Sequence, residues 1–150
     1  MDLIKLTPSY DSKLIFLKKS DYKVRDSFEL TINLEGPGSL NIFYIKPEDK
    51  VTLFFPNPTK NENSVSDSEM QLVSNQTGVT GNIEIEKVGK YLFIAIFDIL
   101  KEDILYDKIY KEKSSEPYKK IDQTEIEGLL TKIKNNPNIK ISYIKITVNK

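Results

Sequence analysis

Residues 40–58 read LNIFYIKPEDKVTLFFPNP, two apolar runs on either side of Pro47-Glu48-Asp49-Lys50. Proline presets φ for a reversal and the acidic residues suit its polar tip, so the stretch predicts a β-hairpin. A two- or four-residue connection pairs Lys46 with Val51, Tyr44 with Leu53 and Ile42 with Phe55 on one face. It pairs Ile45 with Thr52 and Phe43 with Phe54 on the other, while a three-residue loop shifts this pairing by one. In every register both strands carry large side chains on both faces, the pattern of central strands covered from two sides.

Toward the N-terminus, Ser27 to Leu34 alternates, with Phe28, Leu30, Ile32 and Leu34 inward and Glu29, Thr31 and Asn33 outward. Leu14 to Leu17 is a shorter strand candidate, and Gly36, Pro37 and Gly38 mark the reversal into the hairpin. On the other side, residues 56–69, PNPTKNENSVSDSE, are polar and too long for a simple turn; they are expected to form a mobile surface loop. Strand character returns at Met70 to Val73 and at Asn82 to Val88, where Ile83, Ile85 and Val88 face inward. YLFIAIFDIL, residues 91–100, is apolar at both parities and is placed beside the hairpin as another central strand.

Residues 101–120 mix charges and predict an exposed excursion, although Leu105 with Ile109 and Tyr106 with Tyr110 have helical spacing. A helix is signalled over 122–135. Asp122 stands at the cap, Glu125 at the capping-box position, and Ile126, Leu129, Leu130 and Ile133 form an i, i+3, i+4, i+7 stripe. Its natural seat is the sheet face carrying Phe43 and Phe54. In the last strand, residues 139–148, Ile139, Ile141 and Tyr143 hold one parity and Ile144, Ile146 and Val148 the other, which predicts a bulge or twist near Tyr143. Together the elements predict an all-β fold: a sandwich of two mainly antiparallel sheets, immunoglobulin- or transthyretin-like in outline, with one helix packed on it. One domain spans residues 1–150, since no repeat or second domain is visible.

The 22 basic residues balance 22 acidic ones, and Arg25 is the only arginine, which argues against a nucleic-acid module with its basic stripe and guanidinium forks. Cysteine and histidine are both absent, which removes disulfides, thiolate nucleophiles, imidazole bases and nearly all zinc sites. Asp98, Glu102 and Asp103 form a carboxylate group, but no spacing sets two of them across a cleft for glycosidic chemistry. Asn61, Glu62, Asn63, Asp67 and Glu69 offer oxygen ligands for calcium without the pattern of an EF-hand loop, so a solvated loop is the better reading. Asn75-Gln76-Thr77 is a formal glycosylation sequon. No catalytic residue, metal site or cofactor is expected. The patch that invites a functional reading is Phe43, Phe54 and Ile45, a partner-binding face if the helix packs elsewhere. The plainer reading, preferred here, is that the helix covers them. An unpaired edge strand offers a second docking route, by strand addition.

Tyr22 to Asp26 ahead of a strand, then LNIFYIKPEDKVTLFFPN, then VGKYLFIAIF, together resemble an uncharacterised bacterial family of β-sandwich accessory domains. That family's pattern runs from Gly-Asp at a strand start, through an acidic turn and a Lys-Val-Thr-apolar-Phe-Pro-Asn signature, to Pro-Gly before a long apolar strand. Lys50 to Asn57 is the most specific part of the likeness. Arg25-Asp26 stands where Gly-Asp is usual, Glu48-Asp49 where Asp-Gly is common, and Val88-Gly89 in place of Pro-Gly. The resemblance implies an accessory module of exported lipoproteins, or one attached to kinase, peptidase or repeat domains of envelope and signalling proteins. It lends no catalytic residues.

The expected function is a non-catalytic protein–protein interaction or scaffold module of a bacterial cell-envelope assembly, the soluble part of a lipoprotein in a secretion or motility apparatus. Its expected partners are envelope proteins, with no nucleic acid, and its expected location is periplasmic or tethered to the membrane through a removed N-terminal lipid anchor. MDLIKL itself lacks the basic-then-apolar pattern of an export signal. The competing class is a small-ligand or glycan-binding module, or a weak carboxylate hydrolase, with Tyr44, Tyr91, Tyr106 or Tyr110 as stacking surfaces.

Overall fold

In a computed structural model, which describes residues 13–66, 68–100, 106–107 and 118–149, the predicted hairpin lies at the centre of a six-stranded sheet. It is formed by β4 (Gly38–Ile45) and β5 (Val51–Phe55), and every residue of both strands is buried. β9 (Gly89–Asp98) pairs with β4 as expected, and β11 (Ile139–Val148) pairs with β9 along its whole length. β10 (Lys119–Ile121) flanks β5, and β6 (Ser64–Val65) pairs with the start of β4.

Two smaller antiparallel sheets face this one. β3 (Leu30–Asn33) pairs with β1 (Ile15–Leu17) and β7 (Glu69–Gln71), while β2 (Ser27–Phe28) pairs with β8 (Ile83–Glu84). The chain is therefore mainly β, with antiparallel pairing and one helix among the described residues, the sandwich-like class predicted. The alternating run predicted over residues 27–34 is divided between the two small sheets. Its inward set, Phe28, Leu30, Ile32 and Leu34, stays on one side and is buried.

The large sheet separates two cores. Leu40, Ile42, Tyr44, Tyr91, Phe93 and Phe97 pack against the small sheets, whereas Phe43, Ile45, Leu53, Leu92, Ile94 and Ile141 lie under α1 (Gln123–Ile133). The helix buries the predicted stripe Ile126, Leu129, Leu130 and Ile133, and at roughly 1.5–3 kcal/mol per such side chain this burial holds it on the sheet. Asp122 is the N-cap residue through its backbone carbonyl, which accepts the Glu125 N–H at 3.1 Å; its carboxylate pairs with Lys50 at 3.4 Å instead of capping.

A bulge decides where the hairpin aromatics go. Ile42 pairs with Phe55 in the four-residue-loop register, but Phe43 then pairs with Leu53 and Tyr44 with Thr52, the register shifted by one. Phe54 is the extra residue, so Phe54 and Phe55 both face the small sheets and Phe54 leaves the face of Phe43. The mixed parity of β11 needs no such device. Its pairing runs unbroken from Ile139 opposite Asp98 to Val148 opposite Gly89. Ile139 and Ile141 reach the helix core and Ile146 and Val148 the sandwich core, because the two covering layers sit over opposite faces at opposite ends of the strand.

Three further expectations change. Residues 56–66 are tied to the fold by β6 and by buried Asn57 and Asn63, and the 118–121 end of the polar excursion enters the sheet as β10. Val88 is 43% exposed and does not join Ile83 and Ile85 in the core. Ile109, Tyr110, Glu102 and Asp103 lie outside the described residues.

Candidate functional site

The predicted partner-binding trio does not make one surface. Phe43 and Ile45 are 0% and 1% exposed beneath α1, and Phe54, at 6%, stacks on Tyr44 on the opposite face with ring centroids 5.2 Å apart. The helix covers two of the three, and the bulge sends the third into the sandwich core. Of the predicted stacking tyrosines, Tyr91 is buried in that core, and Tyr106 rests edge-on against Phe43 at 6.0 Å. Asp98 is buried and accepts a hydrogen bond from the Leu100 N–H at 3.0 Å. Among the described residues no group of three or more acidic side chains is placed to hold a metal ion, and no helix is long and apolar enough to cross a membrane.

The end of the distinctive Lys50 to Asn57 stretch is a structural knot. Asn57 is 2% exposed and follows the cis Phe55–Pro56 bond. Its Nδ2 donates to the carbonyls of Phe54 and Thr77, both at 2.8 Å, and its Oδ1 accepts the N–H groups of Thr59 at 3.0 Å and Lys60 at 2.9 Å. Gly78 sits against it at φ +76°, where a Cβ would meet Asn57 Oδ1 at 2.8 Å. Thr77 is fully buried and donates to the Leu72 carbonyl, so the sequon's threonine serves the same knot.

Residues 21–98, just over half of the chain, match a family described as a domain of unknown function, DUF4384. The chain belongs to that family. No curated protein and no solved structure matches it. Within the DUF4384 span, Arg25 adopts φ +81°, a conformation glycine takes without strain. Asp26 anchors the same turn: it accepts the Lys23 N–H and the Lys19 ammonium, both at 2.9 Å, and these contacts hold its carboxyl below the usual range.

Among the described residues, two surfaces outside the knot invite attention. The first is the edge of the large sheet, where ten-residue β11 is the terminal strand. Beside it, residues 15–20 and 144–147 line a groove of about 640 Å3 that includes Phe16, itself 41% exposed. The second lies at the turn end of the hairpin, where two adjoining hollows of about 310 and 240 Å3 share Tyr44, Lys46, Glu84 and Glu86. Val79, Ile83, Phe54 and Tyr118 continue one hollow, and Pro47, Lys87 and Tyr91 the other.

Tyr44 is the floor of this second groove. Its ring stacks on Phe93 at 4.7 Å and on Phe54 at 5.2 Å, and burial pushes its phenol far above the ordinary value, with Tyr91, Glu86 and Asp49 adding to the effect. It therefore stays a neutral donor and acceptor. Tyr118 stands edge-on to Phe54 at 5.0 Å; burial raises its phenol, with the Thr80 N–H opposing the shift. Alternation of residue type along 83–86 was the one sequence signal for this wall, and the hairpin's polar turn gave no sign that it faced it.

Proposed function

We propose that this domain is a non-catalytic protein-recognition or scaffold module of a bacterial cell-envelope assembly, the soluble part of a lipoprotein in a secretion or motility apparatus, and that β11 is its docking edge. The observation that carries this reading is a ten-residue strand at the end of a buried six-stranded sheet among the described residues, bordered by a groove of mixed apolar and lysine side chains with an exposed phenylalanine. Among the described residues no strand pairs with the outer side of β11, and an added strand would extend the sheet there while its side chains enter the neighbouring groove. Lys145 and Thr147 stay exposed on this strand and blunt it against indiscriminate pairing. The likeness in the Lys50 to Asn57 stretch supports the envelope setting.

Capture of the tagged protein from its own cells after brief crosslinking, followed by amide hydrogen exchange on the purified complex, tests this. The expected result is a small set of envelope components in fixed ratio and new protection confined to β11 and β1. Recovery of the chain alone, or protection that leaves β11 unchanged, overturns the docking edge. Substrate turnover abolished by a single carboxylate substitution overturns the non-catalytic reading.

A further inference from the structure

We propose that the strand received by β11 alternates apolar and acidic side chains, so that the occupant of this edge is an acidic extended segment of a partner polypeptide. The inference rests on the docking-edge reading above and names the chemistry of its guest. β11 runs between two different surroundings. Ile144, Ile146 and Val148 share one parity and pack with the sandwich core, to which Ile15 and Leu17 of β1 also belong. Lys145 and Thr147 hold the other parity and are exposed, because the core under α1 takes up that parity of the strand only at Ile139 and Ile141. A strand laid beside β11 meets these two surroundings at alternate residues. On the sandwich side its side chains reach Leu17 and Ile144, each only partly buried, which calls for apolar groups. On the other side they pass Lys145.

The charge of the groove is of one sign. Its charged lining residues are Lys18, Lys19 and Lys145, and no described carboxylate lines it. Lys18 pairs with Glu29 at 3.1 Å and Lys19 with Asp26 at 2.9 Å, but the two lysine side chains remain 73% and 51% exposed. Exposed pairs of this kind contribute little, and an ammonium with three N–H donors has room for a second carboxylate. Lys145 Nζ stands over the Tyr143 ring at 5.5 Å, a contact with a ring face that brings no negative side chain into the groove. Carboxylates on the guest therefore gain three cationic neighbours, while a basic guest meets like charge at each. The same argument disfavours a second copy pairing through its own β11, since Ile139–Val148 brings two lysines and no acid.

Titration of the isotope-labelled full chain with acetylated, amidated Val-Glu-Val-Glu-Val-Glu tests the assignment, with the Val-Lys and Ser-Glu repeats of equal length as comparisons. The Val-Glu peptide is expected to give saturable amide shifts along β11 and residues 15–20 that weaken with added salt. Both comparison peptides are expected to bind at least about tenfold more weakly. Lys145→Glu, at an exposed position, is expected to weaken Val-Glu binding about tenfold and to favour Val-Lys. Val-Lys or Ser-Glu binding as well as Val-Glu, affinity unchanged by Lys145→Glu, or no saturable shift overturns the proposal. A concentration-dependent dimer of the chain alone that protects β11 from exchange overturns it too, naming a second copy as the occupant. If β11 is still protected in the captured complex, these results remove the acidic guest and leave the docking edge standing; an unprotected β11 removes the edge itself.

Discussion

Asn57, just beyond the end of β5, and Tyr44, near the turn end of β4, are buried to similar degrees, yet they are held by different means. The Asn57 side chain makes four hydrogen bonds to backbone groups of three segments, while Tyr44 is held by its ring, stacked on Phe54, Tyr91 and Phe93. Saturated polar groups hold a fold in one arrangement through directed bonds, whereas stacked rings hold it through buried area and shape. The Lys50 to Asn57 stretch therefore owes its character at its Asn57 end to folding.

The contrast breaks first at Asn57. Asn57→Ala strands two carbonyls and two N–H groups and is expected to cost about 3 kcal/mol of stability, read from urea unfolding. A loss below about 1 kcal/mol would mean that water replaces those contacts and that the knot is not structural.

The groove rim gives a smaller effect with a defined pH dependence. Burial alone would raise the Asp49 carboxyl, but Lys120, the Lys50 N–H and Lys46 outweigh it and hold the carboxyl below its ordinary 3.8. A group more acidic folded than unfolded stabilises fully above the unfolded value and loses that contribution as pH falls through the lower folded one. Asp49→Asn is thus expected to cost under about 1 kcal/mol at neutral pH, the two proteins converging as pH drops below 3.8. A difference that persists at lower pH would assign the effect to packing.

At the far end of the scale, Glu84→Gln with Glu86→Gln is expected to leave the urea midpoint unchanged, because both side chains are exposed. A marked drop in the midpoint would place these acids in the folding framework and remove the contrast with Asn57.

Much of this was legible. The both-face apolar runs of β4, β5 and β9 correctly predicted central strands, since only a position between two covering layers accommodates large side chains at every parity. The stripe Ile126, Leu129, Leu130 and Ile133 correctly predicted the docked helix. The patch of Phe43, Ile45 and Phe54 was misread because parity was counted through a bulge, and a single extra residue reverses every face beyond it. The 56–69 segment looked like a mobile loop because asparagine and serine are common there, but composition does not distinguish a solvated amide from one that four backbone groups saturate.

Periodicity and residue type by themselves determined the class of fold, the central strands and the buried stripe of the helix, because these depend on spacing along one segment. Only the tertiary structure decided that Phe54 leaves the face of Phe43, that β11 ends the sheet, and that Tyr44, Glu84 and Glu86 share a groove. Those outcomes depend on which distant segments meet, and no local spacing encodes the meeting of residues some forty positions apart.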